Sequence, residues 1–97
     1  MSNPAELLKQ HRDEILRLSR QHGACEVRVF GSVARGDAAP GSDLDLLVSL
    51  EPGRNLLDLG GLLMTLQRLL GCRVDVMTEA SLRGPVRERA LREAIPL

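Results

Sequence analysis

Between Asp43 and Leu50 every second residue is aliphatic, and that spacing limits what the chain can become. Side chains along a strand point to opposite faces, so Leu44, Leu46, Val48 and Leu50 lie on one side and Asp43, Asp45, Leu47 and Ser49 on the other. Four aliphatic side chains on one face must be covered, which makes this a strand of a sheet with a face on a core. The same geometry stands Asp43 and Asp45 together on the opposite face, with Cβ atoms roughly 6–7 Å apart. Two unit charges about 4 Å apart repel by about 4 kcal/mol at an effective dielectric of 20. Such a pair at the mouth of an aliphatic strand demands a cation, a proton or full solvation.

The rest of the chain supplies partners for this strand. Asn3 is placed to cap a helix, with Pro4 in its first turn and Glu6 at the capping-box position. Leu7, Leu8, His11, Ile15 and Leu18 then recur at helical spacing up to Gly23. A strand follows over 25–30, with Cys25, Val27 and Val29 on one face. A short helix begins near Val33, and a Gly-, Ala- and Pro-containing loop runs from Gly36 to Gly41. After the central strand, Asn55 with Asp58 opens a helix whose apolar stripe is Leu59, Leu62, Leu63, Leu66, Leu69 and Leu70, and Gly71 closes it. The tandem Gly60-Gly61 inside it implies either close packing or a break. A third strand covers 72–77, and a last helix lies within 78–94. The order is α-β-α-β-α-β-α, an α/β chain of 97 residues expected to form a single domain spanning residues 1–97.

Composition narrows the function classes. Thirteen basic residues balance thirteen acidic ones, so no global field draws the chain to nucleic acid or an anionic membrane. No apolar run approaches the roughly 20 residues of a membrane span, and the start, Met1-Ser2-Asn3-Pro4, does not read as a secretion signal. Cys25 and Cys72 read as small buried hydrophobes in a reducing compartment, which makes the cytoplasm the expected location.

Asp75 repeats the carboxylate pattern on the third strand, between Val74 and Val76. If the two strands are neighbours in register, Asp43, Asp45 and Asp75 converge, a hard-oxygen set suited to magnesium or manganese. Upstream, Gly31-Ser32 lies between a strand and a helix start, where backbone amides favour an anion and a hydroxyl can donate to phosphate. Arg35 either reaches the same anion or pairs with Asp37. Each piece alone has a plainer meaning: Asp-x-Asp at a strand entry is usually a turn cap or solvated edge, and Ser before a helix is usually a cap. A phosphate cradle followed closely by a carboxylate pair is far more specific.

Gly31-Ser32-Val33-Ala34-Arg35-Gly36 followed by Ser42-Asp43-Leu44-Asp45-Leu46-Leu47-Val48 resembles the signature of the polymerase-beta-like nucleotidyltransferase superfamily, and most closely its minimal nucleotidyltransferase branch. The resemblance covers about residues 27–77, and Asp75 resembles the third carboxylate. It implies a small mixed β-sheet flanked by helices. It further implies that Gly31 and Ser32, with Arg35 and Ser42 beside them, bind the phosphates of ATP. Asp43, Asp45 and Asp75 would be the catalytic carboxylates and the ligands of two Mg2+ ions, with Mn2+ as a possible substitute.

Larger members carry further domains for the acceptor. This chain stops at Leu97, so the acceptor is expected to be another molecule. The resemblance implies a HEPN-type toxin as partner in a hetero-oligomer, this chain being the antitoxin that transfers AMP to a toxin tyrosine. The chain itself contains no Tyr. Two alternatives stand beside this reading: neutralisation of the partner by contact alone, and nucleotidyl transfer to an RNA end or a small molecule. Neutral charge and the lack of basic-aromatic patches argue against strong nucleic-acid binding. Arg83, Arg87, Arg89 and Arg92, interleaved with Glu88 and Glu93, read as a solvated helix face, and His11 as a partly buried packing residue.

Overall fold

The structure, a computed structural model, describes residues 3–97; the part of the N-terminal reading that rests on Met1 and Ser2 lies outside them. Asn3 caps helix α1 (Pro4–Gln10), its side chain accepting from the Ala5 amide at 2.9 Å. The single helix expected up to Gly23 is instead two, because His11 leaves helical geometry (φ −111°, ψ 16°) and α2 (Arg12–Gln21) starts afresh. The bend puts Leu8 and Ile15, on successive segments, into the same core.

Among the described residues four strands form one sheet, in the order β3-β2-β1-β4. Strand β1 (Ala24–Phe30) pairs antiparallel with β2 (Leu44–Leu50), and β2 pairs parallel with β3 (Val74–Met77). A parallel neighbour needs a crossover, which α4 (Leu56–Leu70) provides. The helix runs unbroken through Gly60-Gly61. Gly61 lies against the His22 ring, so close packing accounts for it, whereas a Cβ on Gly60 would meet nothing. Beyond β3, a 3-10 turn (Glu79–Ser81) leads to α5 (Gly84–Glu93). Strand β4 (Ile95–Pro96) then pairs antiparallel with β1, an element the sequence pattern does not announce. Its proline sits at the sheet edge, where a missing amide costs least.

The sheet therefore has two unlike faces. One carries Val27, Val29, Leu44, Leu46, Val48, Val74 and Val76, packed on Leu8, Ile15, Leu62, Leu66 and Leu70 from the helices. The other carries a smaller cluster, Phe30 and Leu47 with Leu82 and Ala90. Cys25 does not join the first face as expected. A bulge between Ala24 and Glu26 makes it the extra residue, and it is exposed, its thiol donating to the Ser49 carbonyl. Cys72 is half-buried, and both thiols are free. No described helix is long and apolar enough to cross a membrane.

Candidate active site

The open part of the second face is where the acidic residues gather. Register does this: Phe30 stands opposite Asp45, and Asp45 opposite Asp75, so three adjacent strands bring these residues abreast. Asp43 lies one residue before β2, and its carboxylate pairs with the Arg73 guanidinium at 3.4 Å.

The chain leaves β1 through Gly31, whose φ of +73° is a left-handed conformation that favours glycine. A Cβ there would also run into the Asp45 carboxylate, so position 31 is restricted twice over. The close approach carries the backbone over Asp45 and directly into α3 (Gly31–Arg35). Ser32 falls in the first turn of α3, and the N-cap is Phe30, so the capping role open to Ser32 is not the one it takes.

Burial, and then the Asp75 and Asp43 carboxylates, push Asp45 up from an ordinary value of 3.8 to about 6, against a lowering pull from Arg35. A hydrogen bond between Asp45 and Asp75 contributes in the same direction. The strand geometry thus produces the predicted repulsion, which is relieved in two ways: Asp45 holds its proton longer, and Asp43 turns to Arg73. As the side chains stand, no three His, Cys, Asp or Glu groups among the described residues are within metal-holding reach of one another. The donor set nevertheless suits a hard divalent cation: it is all oxygen, and its most buried member also feels the charge of the other two. The Arg73 side chain that holds Asp43 is 84% exposed, and such pairs are worth about 0–1 kcal/mol, so Asp43 is readily released.

These residues border a cleft of about 510 Å³. Of the residues singled out from sequence, Gly31, Ser32, Arg35, Ser42, Asp43 and Asp45 line it. Asp75 does not, and reaches the group through its register with Asp45. The Ser42 hydroxyl accepts from the Ala39 amide at 2.9 Å and so closes the preceding loop. Arg35 pairs with Asp37 at 3.3 Å and with Glu93 of α5 at 3.1 Å, and these partners raise its pKa. Sequence reasoning missed the contribution of α5 to the cleft. Val86, Arg89, Ala90 and Glu93 of α5 line the cleft at helical spacing, so part of the supposedly solvated face looks inward. The i, i+3, i+4, i+7 pattern was visible, but nothing local says which face of α5 turns to the sheet.

A mixed sheet with helices, carrying paired carboxylates beneath a Gly-Ser turn, is the architecture of nucleotidyl transfer. Residues 8–97 match the family model described as the nucleotidyltransferase domain, and the chain belongs to that family. Protein adenylyltransferase MntA of Thermococcus cleftensis is 38% identical over 89 residues, covering 92% of this chain and 87% of that protein. A solved structure assigned to the minimal nucleotidyltransferases shares 55% identity at a TM-score of 0.84, covering 96% of this chain and 95% of its own. A toxin–antitoxin structure with AMP-PNP superposes with a TM-score of 0.73 at 20% identity, covering 87% of this chain and 69% of that one, and shares the fold.

Proposed function

We propose that this nucleotidyltransferase moves AMP from ATP onto a protein hydroxyl, a tyrosine of a HEPN-type toxin, and so acts as the antitoxin of a cytoplasmic pair. Residues 1–97 act in this reading as one domain. The observation that carries it is Asp45, set against Gly31 and lining one open cleft with Gly31 and Ser32, with Asp75 abreast of it on the next strand. Relatives named as protein adenylyltransferases support the acceptor class, and the shared fold of a toxin–antitoxin structure supports the setting.

Gly31 and Ser32 hold the terminal phosphates, the glycine by allowing close backbone approach and the serine by donating its hydroxyl. Arg35 and Ser42 flank them. Asp43, Asp45 and Asp75 would hold two Mg2+ ions, or Mn2+ in their place. When bound, the ions neutralise the triphosphate and stabilise charge on the attacking and leaving oxygens. The acceptor oxygen forms a new bond to the α-phosphorus as the bond to the β-phosphate's bridging oxygen breaks. Pyrophosphate leaves with that electron pair, and the hydroxyl proton passes to Asp75, which is exposed at the open side. A tyrosine acceptor must come from elsewhere, since this chain has none.

The test is intact-mass spectrometry of the protein encoded beside this one, after incubation with this chain, Mg2+ and ATP, with Asp43→Asn as control. A gain of one or more AMP units, absent in the control and mapped to a tyrosine, is the expected result. A stable complex of the two proteins with no mass change would overturn the transfer and leave neutralisation by contact.

A further inference from the structure

The cleft contains two arginines in unlike situations. Arg35 is engaged by Asp37 and Glu93. Arg89, on α5, takes part in no ion pair among the described residues, although it is exposed and lines the same cleft as Ser32 and Asp45. Two of the cleft's acids have cations of their own: Glu93 pairs with Arg35 and Asp43 with Arg73. The charge of Arg89 is therefore the one cation of the described cleft lining that faces it without an anion of its own.

Position adds to charge. Helix α5 packs against α3, the helix that opens with Gly31 and Ser32, and the Arg35–Glu93 pair ties the two together. Arg89 lies one turn before Glu93 on the same cleft-lining face. A guanidinium is permanently charged and meets phosphate oxygens through two parallel N–H donors. We infer that Arg89 binds the polyphosphate of the donor nucleotide from the part of the cleft lining that α5 supplies, while Arg35 holds α5 in place to present it. This rests on the reading of the cleft as a nucleotide site.

The experiment is calorimetric titration of the full chain with ATP, tripolyphosphate and AMP in Mg2+, comparing wild type with Arg89→Ala and Arg89→Lys. Arg92→Ala serves as a control, because it removes the same charge from the same helix outside the cleft lining. Loss of a charge-assisted contact weakens binding by about ten- to a hundredfold. That loss is expected for ATP and tripolyphosphate in R89A, with partial recovery in R89K, while AMP affinity stays within about twofold and R92A matches wild type. Wild-type ATP affinity in R89A overturns the inference alone. Equal weakening of ATP and AMP, or equal weakening by R92A, also overturns it, pointing to a shape or bulk-field effect. A wild type that binds neither ATP nor tripolyphosphate overturns the nucleotide-site reading and this inference together.

Discussion

Replacing Asp45 by Asn should make the metal-free protein more stable while removing its activity. Folding raises Asp45 from 3.8 to about 6, so the folded chain binds this proton more tightly than the unfolded one. Stability from this group is therefore fully present below the unfolded value and is lost as pH rises through about 6. At 1.36 kcal/mol per pKa unit, a fully buried group with this change would cost about 3 kcal/mol at pH 8. Asp45 is only half-buried, and solvent screening leaves about 1–1.5 kcal/mol. Asn removes the charge and keeps a donor for Asp75, as the protonated acid does. In a chain of this size, 1–1.5 kcal/mol corresponds to a rise in Tm of about 5–10 °C. The assay is thermal melting of wild type and D45N in EDTA between pH 8 and pH 5. The gap should be widest at pH 8 and shrink by roughly half at pH 5. With Mg2+ and ATP the order should reverse, because only the wild type gains about 2.7 kcal/mol at a hundredfold excess over Kd. A D45N variant melting at or below wild type in EDTA at pH 8 would refute the reasoning.

Three further substitutions probe separate parts of the structure. Gly31→Ala forces a side chain into left-handed backbone, at about 1–2 kcal/mol, and against the Asp45 carboxylate as well. Denaturant unfolding should show at least that loss, and a double variant with Asp45→Ala should recover part of it. Asn55→Ala removes the cap of α4, where the Asn55 side chain accepts from Leu57 N at 2.9 Å, and should cost about 0.5–2 kcal/mol by the same measurement, with no loss of ATP binding. Leu62→Ala opens a cavity at a residue with no exposure and should cost about 2–5 kcal/mol, readable as a large fall in Tm.

How much of this was legible differs element by element, for physical reasons. Strand β2 and helix α4 were legible because local signals agree with the tertiary outcome. The strand keeps an aliphatic residue at every second position from Leu44 to Leu50, and the helix has a reciprocal cap at Asn55 and Asp58 and a left-handed Gly71 at its end. The break at His11 was not legible, since Leu7, Leu8, Ile15 and Leu18 keep helical spacing through it. Strand β4 is two residues long and exists only because β1 offers an edge, which no pattern within Ile95-Pro96 encodes. Cys25 was misplaced because one bulge residue reverses the facing of everything before it. At the candidate site, the approach of Asp45 and Asp75 followed from a guess about register that the sheet bears out. The turning of Asp43 to Arg73 and the inward face of α5 are set by neighbours distant in space, which a single chain of letters does not order.

The two faces of the sheet explain how the fold tolerates so unfavourable a group. Leu44 and Leu46, on either side of Asp45 in the chain, point the other way and have no solvent exposure. Burying one such side chain stabilises by about 1.5–3 kcal/mol, so either neighbour alone outweighs the roughly 1–1.5 kcal/mol lost at Asp45. The alternation of facing lets both effects occupy one strand, because Leu44, Leu46 and Val48 turn to the main core while Asp45 turns to the other side, where Leu47 is the strand's apolar residue. The carboxylates could be moved to the other face only by a one-residue slip, which would expose the whole aliphatic row. The large aliphatic face therefore holds the register that keeps Asp45 beside Asp75, and the acidic positions depend on residues that never touch the cleft.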